Sequence, residues 1–296
     1  MKKKNLMKSL TALVLSVLMV LSLAACGAKP SDGGKDEDKD GYTVAIIKQM
    51  DHASLDEIAD AIAARLDAIA QEQNVSIRYT ITSGQGDQSV LKQLADQAVA
   101  DQVDAIIPIA TTAAQVSAVA AEDSRTPVVY AAISDPDTAK LTGIDYVTGT
   151  SDALNTEYIL DMMLAQDPGV SKVGLLYSLS EPNSTKPIAE AKAYLDAKGI
   201  AYVEKTGNTN DEIMTAASSM VGQVDAVFTP TDNVVMAAAA AVSETLAKGG
   251  IPFYTGADSF VTAGAFATCG VNYTELGTYT ADMALDILET GVVPAY

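Results

Sequence analysis

The chain has 296 residues, 48% of them hydrophobic, with 19 basic and 38 acidic side chains and a formal charge of −19. That balance excludes nucleic-acid binding, which needs Lys and Arg for the phosphates, and adhesion to anionic lipid through the protein surface. Two cysteines exclude a disulfide scaffold and any metal site built on Cys.

The chain opens with Lys2, Lys3, Lys4 and Lys8, followed by an almost wholly apolar run over 10–23 and then Leu23-Ala24-Ala25-Cys26. A charged start, a 7–15-residue apolar stretch and small residues before a cut site define a secretory signal, expected at 1–25; a membrane span needs ~20 residues. The Leu-Ala-Ala-Cys ending resembles the bacterial lipobox, which implies that Cys26 carries lipid and becomes the first mature residue. Without the signal the chain holds 15 basic against 38 acidic residues. Residues 26–41 (CGAKPSDGGKDEDKDG) contain no large apolar side chain and read as a flexible tether. The acidic run 36–38 lacks the spacing of a calcium loop and belongs to that tether.

From 42 onward short β-branched runs alternate with helix-period segments. Strands are predicted at 43–48, 75–81, 105–109 and 127–132. The spacing of Leu55, Ile58, Ala59, Ile62, Leu66 and Ile69 predicts an amphipathic helix after the first of them; further helices are predicted around 90–99 and at 113–121. Residues 134–150, rich in Pro, Gly and Asp, read as a break. A second series follows, with strands at 172–177, 201–205, 226–229, 252–255 and 265–268 and helices at 152–166, 186–198, 211–221, 233–248 and 276–289. Such alternation predicts βαβ units and parallel sheets. The fold class is therefore α/β, with two Rossmann-like lobes, each a parallel sheet flanked by helices. Cys269, in an apolar run, is expected to be a buried packing residue.

Ligands of open parallel sheets bind beyond the carboxyl ends of the strands. The loops there are short and polar: 49–52 (QMDH), 83–87 (SGQGD), Thr111-Thr112 and 134–137 (SDPD) in the first half, and 178–184 (SLSEPNS), 206–208, 230–233 (PTDN) and 256–259 in the second. Two such rims facing each other make a polar cleft. Gly84-x-Gly86-x-x-Ser89 follows the wrong strand and lacks the third Gly of a dinucleotide loop; there is no P-loop and no G-x-S-x-G elbow. The lone His52 reads as an ordinary hydrogen-bonding side chain. No catalytic residues, cofactor or metal are expected.

In this order, Ser83-Gly-Gln-Gly-Asp87, Thr111-Thr-Ala-Ala-Gln115, Ser134-Asp-Pro136, Thr148-Gly-Thr-Ser-Asp152, Ser180-Glu-Pro-Asn-Ser184, Pro230-Thr-Asp-Asn233 and Gly270-Val-Asn-Tyr-Thr-Glu-Leu-Gly277 resemble ABC-transporter substrate-binding lipoproteins of the type I periplasmic-binding fold, in the branch tied to tryptophan and tyrosine uptake. The resemblance implies a first lobe of 42–136 plus 271–296 and a second of 137–270, joined by a multi-segment hinge. It implies ligand contacts at Gly84, Gln85, Thr111, Thr112, Ser134 and Asp135 from the first lobe, and at Ser151, Glu181, Asn183, Ser184, Asp232, Asn233 and Asp258 from the second. It further implies a monomer that takes an amino acid, partners an ABC permease and ATPase, and reaches the membrane through its lipid. An α-carboxylate suits helix starts such as Thr111–Thr112 and Ser151; an α-ammonium suits Asp135, Asp258 or Glu181. Tyr177, Tyr146, Tyr130 and Met50 are candidate walls for an aromatic side chain. A receptor for a membrane signalling protein, or a carrier of a nucleoside or sugar, stays open. The family often has Pro where Thr112 stands, and its members usually run beyond the point where this chain stops, so a final segment packing on the first lobe is expected to be missing.

Overall fold

A computed structural model describes residues 41–295. The signal segment, Cys26 and the tether up to residue 40 lie outside the described residues.

The first sheet contains β1 (Tyr42–Lys48), β2 (Ile77–Ser83), β3 (Ala105–Ile109), β4 (Val128–Tyr130) and β5 (Val147–Gly149), in the order β2-β1-β3-β4-β5. All pairs are parallel, with Tyr42 opposite Ile77, Val44 opposite Ala105 and Val128 opposite Val147. Val44, Ala45, Ile46 and Ile47 are all buried, as expected of a parallel strand covered on both faces. The covering helices are α1 (Ala53–Gln73), α2 (Gln88–Ala100) and α3 (Thr111–Ala120). The apolar stripe of α1 is buried from Leu55 to Ile69, each large side chain contributing on the order of 2 kcal/mol. Asn74, in the left-handed region at φ 55°, ends that helix.

The second series runs α4 (Thr156–Gln166), β6 (Lys172–Tyr177), a 3-10 turn (Pro182–Ser184), α5 (Thr185–Lys198), β7 (Ala201–Thr206), α6 (Asn210–Met220), β8 (Ala226–Thr229), α7 (Asn233–Ala237), α8 (Ala239–Lys248), β9 (Phe253–Ala257), α9 (Asp258–Thr262) and β10 (Ala267–Val271). Its sheet order is β10-β9-β8-β6-β7, again parallel. The final helix, α10 (Tyr273–Thr290), returns to pack on α1. Gly277 permits that approach, since a Cβ there would lie 2.7 Å from the Ala61 Cβ and 2.8 Å from the Ile58 carbonyl oxygen.

Three expectations are corrected. β5 pairs with β4, so the first lobe runs through Gly149 and the crossing falls after it, not after Pro136. The helix expected at 152–166 begins only at Thr156, because the Asn155 side chain accepts from the Tyr158 N–H and the preceding residues are the extended crossing. Cys269 is exposed, because β10 is an edge strand whose register shifts between Thr268 and Val271. In addition, the single helix expected at 233–248 is two, divided at Ala238.

Candidate functional site

The two rims touch. Gln49, directly after β1, donates from Nε2 to Glu181 Oε1 at 2.7 Å, across 132 positions of sequence. His52, which caps α1, meets Asn233 Oδ1 through Nε2 at 3.0 Å. Ser54 and Ser259 share a hydroxyl–hydroxyl bond of 2.6 Å, and Ser134 and Thr231 one of 3.3 Å. Lys186 Nζ stands 3.6 Å from the Asp135 carboxylate. All of these cross from one lobe to the other, and α1 also contacts α7.

The bonds form a continuous chain. The Thr112 N–H, at the start of α3, donates to Gln49 Oε1 at 3.0 Å. Gln49 donates to Glu181, whose Oε2 accepts from Asn233 Nδ2 at 2.6 Å. Asn233 accepts from His52, whose Nδ1 faces the Leu55 N–H at 3.5 Å. Acceptance at Nδ1 puts the ring proton on Nε2. Two helix N-termini of the first lobe are thus joined through Glu181 and Asn233 of the second.

The electrostatics follow from burial. Glu181 is 4% exposed, and its carboxyl is pushed up to about 8 by desolvation and by the charge of Asp232; the Asn233 and Gln49 amides oppose this without outweighing it. Burial holds the His52 ring down at about 4, so it is neutral. Burial also raises Asp232, yet its oxygens accept from the Ser178 N–H at 2.7 Å, the Ser184 hydroxyl at 2.7 Å and the Val235 N–H at 2.9 Å. Those donors make Asp232 the ion of the two and Glu181 the group that keeps its proton. A second buried carboxylate, Asp152, stands at the crossing after β5, accepting from Ser134 at 2.7 Å and Tyr273 at 3.2 Å, and desolvation raises it.

Beside Gln49 and Glu181 lies a cavity of about 380 Å³, which Gln85, Thr112, Met50 and Asn208 also line. Thr111 is buried at the head of α3. Gly84 supports this rim through a 2.9 Å bond to the Lys48 carbonyl, and a Cβ there would sit 2.4 Å from Leu91. Asn183 donates to the Thr231 carbonyl at 2.8 Å, while its Oδ1 is buried with no partner. Ser184 is committed to Asp232.

Asp135, Ser151 and Asp258 do not line this cavity. Asp135 caps its own turn through Thr138. Ser151 accepts from the Ala153 N–H and lines a separate cavity of about 1060 Å³ along α10. Asp258 is exposed at the head of α9. Of the candidate walls, Met50 lines the 380 Å³ cavity, whereas Tyr146 is packed in the first lobe with its hydroxyl on the Ala118 carbonyl, and Tyr177 points its hydroxyl at Glu204. Tyr130 is fully buried in the same cluster as Tyr146. Gln49, Asp152, Thr231 and Tyr273 lie outside the contacts that the resemblance implies, while His52 is the hydrogen-bonding side chain that the sequence suggests, here placed between the lobes. Their only signal in sequence was position, at the end of a strand or the start of a helix. Among the described residues no group of three His, Cys, Asp or Glu side chains could hold a metal.

Residues 43–295 match the family model described as ABC transporter substrate binding protein. A protein of Clostridioides difficile named "Tyrosine-binding protein" is 29% identical over 292 residues, covering 95% of this chain and 84% of its own. Among solved structures, the Streptococcus pneumoniae ABC domain in complex with L-Trp is 29% identical, with a TM-score of 0.79 over 86% of this chain and 88% of that one. The ligand-free, open structure of a substrate-binding protein with adhesive properties from Clostridium difficile is 28% identical, covers 84% of this chain and 85% of that one, and has a TM-score of 0.60.

Proposed function

The chain belongs to the ABC transporter substrate-binding protein family, and we propose that it captures a free α-amino acid, aromatic by preference, between its lobes for delivery to an ABC permease and its ATPase. The observation that carries this reading is Glu181: a buried carboxyl of the second lobe, hydrogen-bonded to neutral amides alone and aimed at the first-lobe rim that holds the α3 N-terminus. A buried carboxyl without a cation of its own suits the ammonium of a ligand. The α3 N-terminus, with the Thr112 N–H at its head, suits the carboxylate. The cavity of about 380 Å³ falls in the range of small-molecule sites, and Met50 offers a polarizable apolar surface for an aromatic ring. The names of the tyrosine-binding relative and the L-Trp complex support the aromatic preference.

Capture proceeds by hinge closure about the crossings at 150–155 and 272, and closure is favoured to the extent that ligand binds the closed arrangement more tightly. The protein acts outside the cytoplasm as a monomer, held to the membrane by lipid on Cys26 after loss of residues 1–25. Isothermal titration with L-Tyr, L-Trp, L-Phe, aliphatic amino acids, sugars and nucleosides tests the reading. Heat with the aromatic amino acids is expected. Loss of at least about 100-fold for N-acetyl-L-tyrosine, which lacks the ammonium, is expected as well. A response to aliphatic amino acids or sugars alone overturns the aromatic preference, and no response to any amino acid overturns the whole.

A further inference from the structure

Gln49 has a fixed backbone and a side chain that crosses the cleft. Its N–H donates to the Ile109 carbonyl at 3.1 Å, and its own carbonyl accepts from the Gly86 N–H at 3.0 Å. The side chain, 5% exposed in all, places one carboxamide between two groups of opposite demand. Its oxygen accepts from the Thr112 N–H at 3.0 Å, and its nitrogen donates to Glu181 at 2.7 Å. A carboxamide holds its oxygen and nitrogen on one carbon, about 2.3 Å apart by its bond lengths. The head of an α-amino acid presents the same two poles, acceptor and donor, at slightly wider separation.

Resting on the amino-acid reading above, we propose that Gln49 is a tethered competitor for the amino-acid head: it holds the helix-end N–H and the carboxyl that the ligand uses, and the ligand binds by displacing it. The exchange selects for zwitterions. At the α3 N-terminus a carboxylate replaces a neutral amide oxygen, and at Glu181 an ammonium replaces a neutral amide N–H; each charged group makes the stronger bond. A ligand with one pole displaces Gln49 from both partners but satisfies only one, leaving the other buried and unpaired. Tyramine lacks the carboxylate and tyrosinamide neutralises it, so Gln49 disfavours both relative to tyrosine.

The test compares wild type with Gln49→Ala and Gln49→Asn by titration with L-Tyr, tyramine and tyrosinamide. Asn is one methylene short and cannot span both partners, and it keeps a polar side chain should the Ala variant fold poorly. Displacement predicts that L-Tyr binds about tenfold more tightly to both variants, two modest hydrogen bonds no longer having to be broken. It also predicts that the preference for L-Tyr over tyramine narrows. Unchanged or weakened affinity for L-Tyr in the variants, with wild type binding intact, overturns the proposal and makes Gln49 a bystander or a direct contact. Absence of binding in wild type as well overturns the amino-acid reading beneath it. The complex supplies a readout free of variants: the Gln49 carboxamide must have left both Thr112 and Glu181, and its retention there overturns displacement.

Discussion

Glu181→Gln keeps size and shape but leaves no carboxyl that can ionise against a ligand ammonium. In the structure the carboxyl is 4% exposed and receives two amide donors, at 2.7 and 2.6 Å, so a ligand ammonium set against it is held in a water-poor site. Removing one partner of a buried charged pair costs about 3–5 kcal/mol, roughly two to three and a half orders of magnitude in Kd. Calorimetric titration with L-Tyr and L-Trp at pH 7 measures this directly. A second signature is independent of ligand. The Glu181 carboxyl is raised from 4.5 to about 8, so the folded protein holds this proton more tightly than the unfolded chain does. The contribution is fully present below pH 4.5 and is lost as pH rises through about 8. Wild-type Tm therefore carries a downward trend across that window that the Gln variant lacks, by thermal melts in a pH series. A Kd within threefold of wild type, together with an unchanged Tm profile, would refute the reasoning.

Binding at pH 7 should release close to one proton, because an ammonium on Glu181 favours its ionised form; titrations in buffers of different ionisation enthalpy give the number, and zero release contradicts the assignment. Asp232→Asn should act on stability rather than specificity, since the carboxylate serves three donors within its own lobe: about 2 kcal/mol, or a Tm lower by roughly 4–8 °C, with Kd within about threefold. A large loss of affinity at unchanged Tm would instead make Asp232 a ligand contact. His52→Ala loses the α1 cap at a cost of about 1 kcal/mol. The ring's depressed pKa means that its contribution is present above pH 6.5 and is lost as pH falls through about 4, so the variant's Tm should be flatter over that acid range. An acid limb as steep as wild type would remove His52 from the account.

The α1 stripe was legible because six apolar residues at helical spacing have one plausible use, and the strand–helix alternation fixed the class of fold in the same way. β5 was not legible. Three residues, Val-Thr-Gly, carry no period of their own, and their strand character comes from pairing with β4. The exposure of Cys269 is not legible either, because apolar neighbours in sequence say nothing about whether a strand lies at a sheet edge. Glu181, Asn233 and Thr112 were legible as polar groups at strand and helix ends. Gln49 was not, since its role depends on a partner 132 positions away, and His52 was read as generic because one histidine without a partner in view has many ordinary uses.

The central claim is that an amino-acid head lies between Glu181 and the start of α3. A crystal structure of the protein with L-Tyr or L-Trp tests it most directly. The account predicts the ligand ammonium within about 3 Å of the Glu181 carboxylate and the ligand carboxylate on the Thr112 N–H. A ligand bound in the opposite sense, with its carboxylate toward Glu181, or bound outside the contact between the two rims, would contradict it.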